Sequence, residues 1–70
     1  MEQAIAAKVV EAALNLDKVF GALDAAIRAI PDEAERKTYL RALGTIILDV
    51  NEAIIRPVVR HHPALDPDRD

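Results

Sequence analysis

Ile30-Pro31-Asp32-Glu33-Ala34-Glu35 is the stretch on which the fold turns. Pro31 cannot donate the backbone hydrogen bond that a helix interior requires, and it pushes Ile30 away from helical dihedrals. Asp32 is a strong N-cap residue. Glu35 stands three positions on and completes a capping-box pattern. Asp32, Glu33 and Glu35 put negative charge where the positive end of a helix dipole favours it. One helix therefore ends before Pro31 and another begins near Glu33.

Upstream of the break, Ile5, Val9, Ala12, Leu16, Val19, Leu23, Ala26 and Ile30 recur in alternating steps of four and three. That a/d heptad run predicts a helix over about residues 2–30. Ala6, Ala13, Phe20 and Ile27 flank the stripe, which is wider than a two-stranded seam and suits a bundle core. Downstream, Leu40, Leu43, Ile47, Val50 and Ile54 repeat the spacing, widened by Tyr39, Ile46 and Ala53. Pro57 interrupts this second pattern, but Arg56 is a poor N-cap and the pairs Ile54/Ile55 and Val58/Val59 keep helical spacing across it. The expectation is a helix over 33–61, kinked near Pro57 at a local cost of roughly 3 kcal/mol. Pro63 stops it. Residues 63–70 read as a flexible acidic tail unless Leu65 docks.

The fold class is all-α: one antiparallel helical hairpin over residues 1–62 with a turn at 31–32. Each helix is about 28 residues and roughly 40 Å long. Two such helices bury only the strip where they touch, and these apolar arcs are broader. The seam expected to hold a dimer is Val9, Leu16 and Leu23 on the first helix and Leu43, Ile47, Val50 and Ile54 on the second. A further strip falls on the backs of the helices: Ala7, Val10 and Leu14 on one, Leu48, Ile55 and Val59 on the other. Gly21 and Gly44 lie at its margins, where another helix could approach.

A 70-residue chain has room for one domain, and a core of that size rarely gives more than roughly 3–5 kcal/mol of net stability without a staple. Cysteine is absent, which rules out disulfides, thiolate zinc sites and cysteine nucleophiles. Oligomerisation is the staple left, so the expectation is a homodimer forming a four-helix bundle. The back strip could join dimers into a tetramer or receive another helical protein. In layout and length the chain is similar to the small Rop-type helical hairpins, and that resemblance implies the same kind of dimeric bundle. No residue motif is shared, so the RNA-binding activity of that family is not carried over.

Function classes narrow by subtraction. The chain has one Phe, one Tyr and no Trp, too few aromatic platforms for stacking nucleobases. A formal net charge of −3 gives no overall field toward phosphate backbones. Arg56, Arg60, His61 and His62 still form a local basic cluster at the negative end of a helix dipole. It is a candidate anion or nucleic-acid contact for a small regulator, the alternative to an interaction module. His61 and His62 point about 100° apart and are not spaced to share a metal. Asp66, Asp68 and Asp70 lack the glycine and glutamate of a calcium loop. There is no serine, no glycine-rich phosphate loop and no nucleophile motif, so neither catalysis nor a cofactor is expected. No membrane span and no signal-peptide pattern is read, and the default location is cytoplasmic.

Overall fold

The computed structural model describes residues 1–67. Three helices follow in order: α1 (Gln3–Arg28), α2 (Glu33–Val50) and α3 (Arg56–His61). A π-helical turn, Asn51–Ile55, joins α2 to α3 without a break, and Pro63–Leu65 form a single 3-10 turn. The hairpin is a rod, 46 × 23 × 17 Å, with a radius of gyration of 14.9 Å. A compact domain of this length has a radius of roughly 11 Å.

The turn is built as its residues dictate. The carboxylate of Asp32 accepts from the Glu35 amide at 2.8 Å and caps α2. The last turn of α1 tightens, with the Ile30 amide bonding the Ile27 carbonyl at 2.9 Å. The guanidinium of Arg36 reaches back and donates to the Ile30 carbonyl at 2.9 Å. It thereby satisfies an acceptor that the end of α1 would leave open.

The helices meet one column away from the heptad run. Buried on α1 are Ala6, Val10, Ala13 and Ile27, with Phe20 half-buried between them. Leu43 on α2 and Val58 on α3 face them, Leu43 being 4% exposed. Three of the buried α1 residues belong to the column that flanks the stripe. Ala6 and Ala13 have no bulk to hold the second helix off, so contact settles there.

The π turn explains the rest of the register. Pro57 has no N–H, and its ring would press on the carbonyl four residues back in a regular helix. The turn before it is wound wider, with the Arg56 amide bonding the Asn51 carbonyl. One extra residue is absorbed, and everything beyond is rotated by about 100°. The seam on the second helix therefore runs Leu43, Ile47, Val50 and then Ile55, Val58 and Val59. Ile54 is turned away from the contact within the hairpin and is 43% exposed. Ile55 and Val59, expected on the back, are half-buried toward α1.

At the open end Ala6, Val10 and Val58 form a small apolar cluster, with Val9, Val59 and Leu65 packed on it. Leu65 thus docks, the exception that the tail reading allowed. Residues 68–70 of that tail lie outside the described residues. His62 Nδ1 lies 2.6 Å from Gln3 Oε1 and links the two ends of the hairpin.

Candidate interaction surface

Most of the large apolar residues left uncovered by the hairpin gather on one face. On α1 they are Ile5, Ala12, Val19, Leu23 and Ala26, with Val19 60% exposed. On the second helix they are Tyr39, Ile46, Ala53 and Ile54. At about 100° per residue, each set lies roughly a quarter turn from its helix's contact side, in the same rotational sense. For two antiparallel helices, equal senses put both sets on the same face of the hairpin. The face spans both helices and nearly their whole length.

Of the expected seam, Leu43 is buried and Val9, Leu16, Ile47 and Val50 are half-buried, while Leu23 and Ile54 stand exposed. The stripe is therefore only partly used by the hairpin. Of the expected back strip, Val10 is enclosed in the open-end cluster, and Ile55 and Val59 turn toward α1. Only Leu14 and Leu48 remain on the surface there, Leu48 at 57% exposure. A Cβ at Gly21 or Gly44 would meet open space.

The opposite side carries a groove of about 320 Å³ beside the π turn, lined by Leu14, Ile55, Val59 and Asn51. Glu52, Arg56, Asp66 and Pro67 also line it. Glu52 and Arg56 form the i,i+4 pair that their spacing predicts, 3.4 Å apart. The basic cluster is divided rather than assembled. Arg56 faces that groove, whereas His61 and His62 line a separate hollow of about 140 Å³ with Met1, Pro57 and Val58. Among the described residues, no group of three or more His, Asp or Glu is placed to hold a metal ion, and no helix is long and apolar enough to cross a membrane.

Sequence reading missed the Arg36 link to Ile30 and the His62 link to Gln3. The first could have been suspected from a lone arginine four residues after an N-cap; nothing in the sequence signals the second. Comparison with family models, with curated proteins and with solved structures finds no match to this chain.

Proposed function

We propose that this chain is a small non-enzymatic assembly module that acts as a homodimer, with the two-helix apolar face as its working surface. The face itself carries this reading. Contiguous apolar patches of more than a few hundred Å² are rare on monomers and mark association sites. The chain exposes 5314 Å², whereas a folded monomer of 7.7 kDa typically exposes roughly 4,300 Å². The intramolecular core is thin: among the described residues six are buried, and three of them cluster at the open end.

Sedimentation equilibrium at micromolar concentration tests the proposal. Twice the chain mass is expected, and a folded monomer would overturn it. Val19→Asp sharpens the test. On a monomer it is a harmless surface change, but on the face it should abolish dimerisation and reduce helicity at low concentration.

A further inference from the structure

We infer that Pro57 is a register lock. It selects between two rotational registers of the end of the second helix, and the sequence supplies both registers with the same side chains for α1. Neither register needs a second copy of the chain.

Three doublets carry this. Ile54-Ile55, Val58-Val59 and His61-His62 each repeat one residue type at neighbouring positions, and the doublets follow one another in steps of four and three. Neighbours on a helix differ by about 100°, which is the rotation that the extra residue of the π turn introduces. With the π turn in place, Ile55, Val59 and His62 are half-buried, while Ile54 and His61 are exposed. His62 Nδ1 then reaches Gln3 Oε1. If the turn is wound as plain α-helix, each doublet presents its other member. Ile54 replaces Ile55, Val58 replaces Val59 and His61 replaces His62. An isoleucine, a valine and a histidine face α1 in either register.

Position 57 breaks the tie twice. In the α register a proline there presses on the Ala53 carbonyl and donates no hydrogen bond. The same rotation also puts its ring where Val58, 7% exposed, now packs with Ala6 and Val10. A π turn is otherwise a rare state of a helix, and no side chain caps this one. Pro57 is therefore what keeps it. The lock also decides what borders the apolar face. In the π register that residue is Ile54; in the α register Arg60 swings toward the face by the same rotation of about 100°.

Pro57→Val tests the lock, because it removes the ring, restores the donor and supplies a valine for the deep position. Two NMR measurements on the full chain read the register. In the parent chain, coupling across the hydrogen bond should join the Arg56 amide to the Asn51 carbonyl. The Leu14 methyls should show cross-relaxation with Ile55 and Val59, which line one groove with them. In the major form of Pro57→Val the Asn51 coupling should vanish and one to Glu52 appear. The Leu14 contacts should pass to Ile54 and Val58, with helical content by circular dichroism unchanged. A variant whose major form keeps the Asn51 coupling would overturn the lock: packing of Val58 and Leu65 would then hold the π turn without Pro57. A variant that loses its helical content would overturn it as well, because the α register would then be no alternative for this chain.

Discussion

The turn end and the open end of the hairpin are held by different kinds of interaction. At the turn, neighbours in sequence do the work: Asp32 caps the Glu35 amide, and Arg36 reaches six residues back to Ile30. At the open end, Val10 meets Val58, Leu65 packs on both, and Gln3 meets His62 across 59 residues of sequence. Between them the π turn resets the phase of the second helix. Local hydrogen bonds fix where the chain reverses. Apolar contacts at long separation, tuned by that one extra residue, fix whether the reversed helix lies down correctly.

The largest effect that tests this contrast comes from deleting single residues. Removing Ala42 from regular helix should rotate everything beyond it by about 100° relative to the capped turn. One end or the other must then lose its contacts, and cooperative unfolding should disappear. Removing Ala53, inside the π turn, deletes the extra residue and leaves Val58 and Val59 facing α1. Pro57 would then sit in plain α-helix, at a cost of about 3 kcal/mol. Combining the Ala53 deletion with Pro57→Ala should bring the denaturation midpoint back near that of the parent chain. If the combined variant unfolds like the Ala42 deletion, the π turn does not set the register.

Asp32→Ala probes the turn end and should cost about 1 kcal/mol. For a domain of this size that lowers the thermal midpoint by about 4–8 °C. The helical content at low temperature should persist, because the apolar contacts at the other end are untouched. A loss of all structure would mean that the turn, rather than the open end, nucleates the fold.

These two ends differ equally in how legible they are. Pro31, Asp32 and Glu35 specify the reversal by chemistry that acts over a few residues, and the structure places the cap there. The phase slip could not be read, because Ile54/Ile55 and Val58/Val59 supply an apolar residue for either phase. Only Pro57 hints at it, and a kink and a π turn answer the same missing N–H. The stripe was read correctly as apolar, but not which column α2 would choose. The choice depends on how closely Ala6 and Ala13 allow approach, which is a property of the packed pair. The uncovered face is the consequence: the hairpin consumes the flank and leaves part of the heptad run on the surface.

The smallest effect separates the two components of the open end. The His62–Gln3 link is exposed, so its net contribution should be no more than about 0.5 kcal/mol, the low end for a hydrogen bond. Leu65 is half-buried on the Val10/Val58 cluster, and removing most of its side chain should cost about 1–2 kcal/mol. Gln3→Ala should therefore leave the thermal midpoint almost unmoved. Its signature is local: the His62 amide, bonded to the Val58 carbonyl at 2.9 Å, should exchange its hydrogen faster as the end of α3 frays. Leu65→Ala should lower the midpoint and speed exchange at Val58 and Val59 as well. If Gln3→Ala matches Leu65→Ala, the polar link holds the open end and burial is secondary. The contrast with the hydrogen-bonded turn would then collapse.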